Sequence, residues 1–177
     1  MTQHRILFVG LGNIRRSPLV EAAMRQLIAE DGRLDDFLLD SAGTSDAHAG
    51  EPPDPRAAVA AAAVGITLER RRARQVTASD FRNCDLLLAM DTVSREALLA
   101  MAPLKANHKI HRLLDFSPWI GETEIADPYF GDAEAFDDTL DLIRLAVRGL
   151  LSSLDQEAGE WAVATAPRAR LKLSSGM

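Results

Sequence analysis

The sequence predicts an α/β domain wound around a parallel sheet, and three observations carry that expectation. The strand candidates are short, unbroken apolar runs; stretches of helical periodicity separate them; and a glycine-punctuated loop follows the first run. Unbroken runs suit strands covered by helices on both faces, whereas a half-exposed strand alternates apolar and polar residues. Strands that alternate with helices in turn give a doubly wound sheet.

The first strand candidate is Ile6-Leu7-Phe8-Val9. Leu19, Val20, Ala23, Met24, Leu27 and Ile28 then form a stripe at helical spacing, with Ser17 as N-cap, Pro18 at the first helical position and Gly32 as terminator. Phe37-Leu38-Leu39 is the second strand candidate, ended by Asp40, and an alanine-rich helix is predicted over 55–64. Residues 86–90 form the third strand candidate, 92–101 a helix opened by Thr92, and 109–113 a weaker fourth strand. The last helix places Phe136, Leu140, Ile143, Val147, Leu150 and Leu154 on one face, and Asp132 is positioned to cap it. Neither an internal repeat nor an interdomain linker is visible. The expectation is one domain over 1–160 and a flexible tail over 161–177, where Pro167, three basic residues and Ser-Ser-Gly occur.

Composition narrows the function classes. A chain of 177 residues is long enough for a substantial core, and a net charge of −6 argues against bulk nucleic-acid binding. No apolar stretch approaches the roughly 20 residues needed to span a bilayer, and Met1 to Arg5 runs into the first strand with no signal-peptide pattern, so a cytoplasmic location and no membrane contact are expected. The single cysteine, Cys84, excludes an intramolecular disulfide framework and a Cys-rich zinc site. His4, His48, His108 and His111 share no spacing with a carboxylate or cysteine cluster, so neither metal nor cofactor is expected.

Chemistry concentrates between residues 10 and 17. A phosphate dianion needs converging N–H donors and a forked cation. Here Leu11, Gly12, Asn13, Ile14, Arg15, Arg16 and Ser17 form a tight loop leading into a helix N-terminus. Small residues let the backbone approach a ligand, Asn13 tolerates the left-handed conformation, and Arg16 can grip two oxyanion oxygens. Two other readings fit the same run: a plain strand-to-helix turn, and a dinucleotide loop beginning Gly10-Leu11-Gly12. Against the latter, Arg15 replaces the third glycine and Pro18 delays the helix.

The run Val9-Gly10-Leu11-Gly12-Asn13-Ile14-Arg15-Arg16-Ser17-Pro18 resembles the V-C-x-G-N-x-C-R-S-P signature of the low-molecular-weight protein tyrosine phosphatases. The likeness continues in order through Asp40-Ser41-Ala42-Gly43-Thr44, Pro53-Asp54-Pro55-Arg56-Ala57, Ala73-Arg74-Gln75, Met90-Asp91 and Asp127-Pro128-Tyr129. The resemblance implies a three-layer fold with a four-stranded parallel sheet and helices on both faces. It also implies a phosphate-binding loop over Leu11 to Ser17, with Arg16 on the transferred group, Asp127 as general acid and Tyr129 flanking an aromatic substrate. Asn13 and Ser41 would support the loop.

Four positions depart from that pattern. Gly10 stands where the family has its nucleophilic cysteine, and Arg15 replaces the second loop cysteine. Ala47 replaces a tryptophan of the substrate wall, and Arg71 replaces a histidine that supports the loop network. The expected function is therefore binding of phosphate, sulfate or a phosphorylated ligand, phosphotyrosine protein included, without cysteine catalysis. The alternative is a phosphatase or phosphomonoesterase using water or another nucleophile. Cys84 borders an apolar run and reads as inert, and Ser17 lacks a neighbouring base. Arg70-Arg71-Arg72 with Arg74 reads as a solvated loop face, the acidic residues between 122 and 141 as solvating, and Met90 and Met101 as core filling.

Overall fold

The computed structural model describes residues 3–68 and 70–164. Four parallel strands, β1 (His4–Gly10), β2 (Phe37–Gly43), β3 (Leu86–Ala89) and β4 (Ile110–Arg112), pair in the order β2-β1-β3-β4. Among the described residues, five α-helices accompany them: α1 (Arg16–Glu30), α2 (Pro55–Ala63), α3 (Ala78–Asn83), α4 (Thr92–Met101) and α5 (Ala133–Ala164). The flexible tail expected over 161–177 lies, for residues 165–177, outside the described residues.

The unbroken apolar runs are explained by a sheet with two buried faces. Ile6 and Phe8 of β1 join α1, α2 and α5 in one core, with Leu39 and Leu88 beside them. The alternate residues Leu7 and Val9 face the other way, onto Phe81 of α3 and Leu98 of α4, with Leu87 and Ala89. Period-2 geometry thus sends successive apolar side chains of one strand into two different cores. The result is the three-layer, four-stranded parallel arrangement the sequence predicts. Among the described residues, no helix is long and apolar enough to cross a membrane.

Helix boundaries mostly follow local chemistry. Gly32, at φ 68°, ends α1 with a pair of backbone bonds, Gly32 N–H to Ala29 and Arg33 N–H to Ile28. This is the closure that a left-handed C′ residue permits. The Asp54 carboxylate caps α2 through the Arg56 N–H, and Asp132 accepts from the Ala135 N–H at the start of α5. Asp91 caps α4 one residue before Thr92, accepting from the Ser94 N–H at 2.7 Å.

The start of α1 differs from the expectation. The helix opens at Arg16, Arg15 holds the N-cap position, and no side chain caps it. Ser17 cannot serve as the cap because its hydroxyl accepts from the Asn13 side chain at 3.0 Å and faces the Ala42 carbonyl. Met90 is buried as expected, but Met101 is 42% exposed at the end of α4. The arginine run is not a plain solvated face either: Arg71 pairs with buried Glu21, and Arg74 is bound to Asp40 and Asp80.

Candidate functional site

The loop 10–17 leaves the carboxyl end of β1, where parallel sheets place ligands. Its shape is fixed from outside by its own carbonyl groups. Gly10 and Leu11 carbonyls accept from the N–H groups of Thr44 and Ser45 at 2.9 and 3.0 Å, and the Ile14 carbonyl accepts from Asp54 N–H at 2.8 Å. The Arg15 carbonyl takes the Leu19 N–H of α1. By contrast, the N–H groups of Leu11 to Arg15 have no protein acceptor among the described residues. Loop carbonyls are therefore spent on the surrounding protein, and the loop surrounds a small recess lined by residues 10–17 and Asp127. Amides without an internal partner around a concavity, at the positive end of a fifteen-residue helix, are the arrangement that oxyanion recognition requires.

Two residues make this path possible. Asn13 adopts φ 59°, and its side-chain N–H groups donate to Ser17 Oγ and Ser41 Oγ at 3.0 Å each, while its oxygen accepts from the Arg74 N–H. Gly43 allows β2 to pass against the loop, since a Cβ there would sit 2.6 Å from the Leu11 carbonyl oxygen and 3.2 Å from the Gly12 carbonyl carbon. Both obstacles are backbone and cannot rotate away. Gly43→Ala is expected to lose about 2 kcal/mol of stability by overpacking, read as a lowered midpoint in chemical denaturation. A midpoint equal to wild type would show that the loop shifts freely.

Arg16 is almost fully buried, and its protein contacts gather on one edge. Nη1 donates to Asp91 Oδ2 at 2.6 Å and to the Ile125 carbonyl at 2.8 Å, while Nη2 lies 3.8 Å from Asp127. Burial alone would raise the Asp91 carboxyl, but the bonds from Arg16 and Ser94 outweigh it and hold the group below its ordinary range. Asp91 thus orients a guanidinium whose Nε makes no hydrogen bond within the described residues.

Arg15 lies across the mouth. Its Nε and Nη2 donate to the two oxygens of Asp127 at 2.9 and 3.2 Å, and Nη1 lies 3.7 Å from Asp54. Its guanidinium sits 4.6 Å from the centre of the Tyr129 ring. Arg56 completes the cluster, bridging Asp54, donating to the Tyr129 carbonyl and lying 5.7 Å from the same ring. The Asp54 carboxyl is held low, chiefly by its hydrogen bond from Arg56.

Behind the loop, buried Glu21 accepts from Ser41 Oγ at 2.8 Å and pairs with Arg71 and, at 3.3 Å, with Arg25. Ser41 hands this network to Asn13. Arg74 extends it on the other side, with two bonds to Asp80 that outweigh the effect of burial and hold the Asp80 carboxyl low.

The loop residues and Asp127 converge, with Ser41 one hydrogen bond behind them, whereas Ala47 and Tyr129 do not line the recess. Ala47 is exposed in a turn, and His48 beside it packs on the loop instead, its Cδ2 2.8 Å from where a Gly12 Cβ would stand. His48 Nδ1 contacts Glu51 at 2.8 Å, a carboxylate contact that spacing alone did not suggest. Cys84 is half-buried near Arg5, at the opposite end of the sheet and on the order of 15 Å of strand from the loop. Burial pushes its thiol up to about 11. Glu21, Asp91 and Gly43 were not singled out from the sequence. Glu21 carried a signal as an acid set within the apolar stripe of α1, and Asp91 and Gly43 lie in the blocks that carry the family resemblance.

A family model for low molecular weight phosphotyrosine protein phosphatase matches residues 5–160. The chain is 36% identical over 152 residues to the low molecular weight protein-tyrosine-phosphatase YfkJ of Bacillus subtilis, covering 86% of this chain and 96% of that one. It is 34% identical over 157 residues to the Streptomyces coelicolor low molecular weight protein-tyrosine-phosphatase, covering 87% and 95%. The crystal structure of an Entamoeba histolytica protein tyrosine phosphatase with Hepes in the active site superposes with a TM-score of 0.84 at 34% identity, covering 88% of this chain and 99% of that one. Fold and comparisons agree on a class of α/β proteins built on a four-stranded parallel sheet. The chain belongs to the low molecular weight phosphotyrosine protein phosphatase family.

Proposed function

We propose that this protein binds phosphate, sulfate or a phosphorylated ligand at the loop 11–17, and that Gly10, at the nucleophile position of its family, leaves it without cysteine catalysis. The observation that carries this reading is the set of loop N–H groups with no acceptor among the described residues, around a recess that the buried Arg16 also lines. The charge balance favours binding as well. A thiolate at the base of the recess would repel an entering dianion, and glycine imposes no such cost. Leu11 to Arg15 supply donors, Arg16 and Ser17 complete the cradle, and Asn13 with Ser41 holds its shape.

Hydrolysis by water in the space beside Gly10 is the competing reading. It needs Asp127 to protonate the leaving group, yet both Asp127 oxygens accept hydrogen bonds from Arg15. Asp127 in this arrangement is a mouth residue tied to a cation rather than a free acid. Groups that act as a unit lose most of their effect when one is missing.

Calorimetric titration of the wild type with inorganic phosphate is expected to show saturable binding, weakened at least roughly tenfold by Arg16→Ala, which removes a charge-assisted forked donor. Absence of wild-type binding, or an affinity indifferent to Arg16→Ala, overturns the proposal.

A further inference from the structure

We infer that Arg15 is a specificity-determining residue that closes the mouth to aromatic carriers, so that the site selects compact, non-aromatic oxyanions over aryl phosphates. This rests on the reading of loop 11–17 as an anion site. A phosphate seated there carries its substituent outward past Asp127, the one lining residue beyond the loop itself. An aryl group in that position needs an open apolar or aromatic face to replace the water it loses.

The aromatic face at the mouth is already engaged, which leaves the half-exposed Leu11 as an apolar side chain lining the recess. The aromatic side chain bordering Arg15 is Tyr129, and its ring already carries the Arg15 guanidinium at 4.6 Å and the Arg56 guanidinium at 5.7 Å. Phe130 meets it edge-on at 4.7 Å between centroids. Ala47 has only a methyl group and does not reach the recess.

Arg15 is also firmly held. Two hydrogen bonds to Asp127, the ion pair with Asp54 and the ring contact act together, and its side chain is only 13% exposed. A cation stacked on a ring and gripped bidentately by a carboxylate is a geometry that favours arginine strongly. Admitting an aryl group requires breaking this cluster, which leaves Asp127 with the Tyr129 N–H and the more distant Arg16 beside the incoming dianion. Inorganic phosphate, sulfate or a phosphate on a slender alkyl carrier requires no such rearrangement.

Calorimetry with inorganic phosphate, ethyl phosphate and phenyl phosphate, at fixed ionic strength, tests this on wild type, Arg15→Ala and Arg15→Gln. Wild type is expected to bind phenyl phosphate at least about tenfold more weakly than inorganic phosphate, the equivalent of one lost charge-assisted contact. In both variants the ratio of the two Kd values is expected to fall at least about tenfold, whatever happens to the absolute affinities. Ethyl phosphate binding like inorganic phosphate supports the inference and marks the ligand as an alkyl phosphate. Ethyl phosphate binding weakly, with phenyl phosphate weaker still, supports it and marks a free anion. Equal wild-type affinity for phenyl and inorganic phosphate overturns the inference while leaving the anion site standing. So does an unchanged ratio in variants whose thermal unfolding matches wild type. Failure of inorganic phosphate to bind wild type removes both.

Discussion

Gly10→Cys in an Arg15→Ala background is expected to hydrolyse an aryl phosphate at least about 1,000-fold faster than Arg15→Ala alone. The backbone makes the substitution feasible. Gly10 lies outside the positive-φ region, and the nearest neighbours of a Cβ there would be Ser17 Oγ at 3.5 Å, Met90 Cγ at 3.6 Å and Ser17 Cβ at 3.7 Å, all ordinary contacts. A thiol so placed stands at the start of α1 and close to Arg16, surroundings that favour the thiolate. In the reaction, sulfur bonds to phosphorus as the P–O bond to the aryl group breaks, and the leaving oxygen takes a proton from Asp127. Water then attacks phosphorus and releases the thiol and phosphate.

Removing Arg15 contributes twice to that outcome. It uncovers the Tyr129 ring, and it frees both Asp127 oxygens from their bidentate partner. Gly10→Cys alone should therefore gain much less than the double variant. If the double variant binds inorganic phosphate but gains no turnover, supplying a nucleophile is not sufficient for hydrolysis at this site. The fault would then lie deeper in the loop network.

Arg71→Ala is expected to destabilise the fold by about 3 kcal/mol, the scale for breaking one side of a buried ion pair. Glu21 is 5% exposed, and its partner Ser41 is buried; Arg71 is 21% exposed, whereas Arg25 is 46% exposed and 3.3 Å away. Chemical denaturation measures the loss. The double variant Arg71→Ala, Glu21→Gln distinguishes an unpaired charge from lost packing, because neutralising Glu21 should recover at least about 1 kcal/mol. No recovery would mean that Arg71 acts through its aliphatic stem alone. Arg71 thus supports the loop by another route, through Glu21, Ser41 and Asn13, and a position marked as a departure is part of the frame.

The central β-loop-α unit was legible because its signals are local. Four consecutive apolar residues, a loop with Gly12 and Asn13, and Pro18 next to the helix start all act within fifteen residues of chain. The two buried faces followed from the unbroken runs. Helix α3 escaped notice because six residues carry too little periodicity, although its Thr77 and Asp80 form a reciprocal cap. At the mouth, Asp127 and Tyr129 were legible through the resemblance, but their engagement by Arg15 was not. Arg15 and Asp127 are 112 residues apart, and nothing in either neighbourhood announces that they pair. The same holds for Arg16 and Asp91, 75 residues apart. Side-chain partners across the fold depend on topology, which local pattern does not encode.

The cradle's donors belong to the main chain, and this gives the site an uneven response to mutational drift. Substitution at Leu11, Ile14 or Arg15 changes a side chain and leaves the amide in place, so recognition of an oxyanion persists through many exchanges. Chemistry, in contrast, hangs on individual side chains and disappears with one of them. A lineage that no longer needs turnover can therefore shed it in a single step and still retain a selective receptor for the group it once transferred.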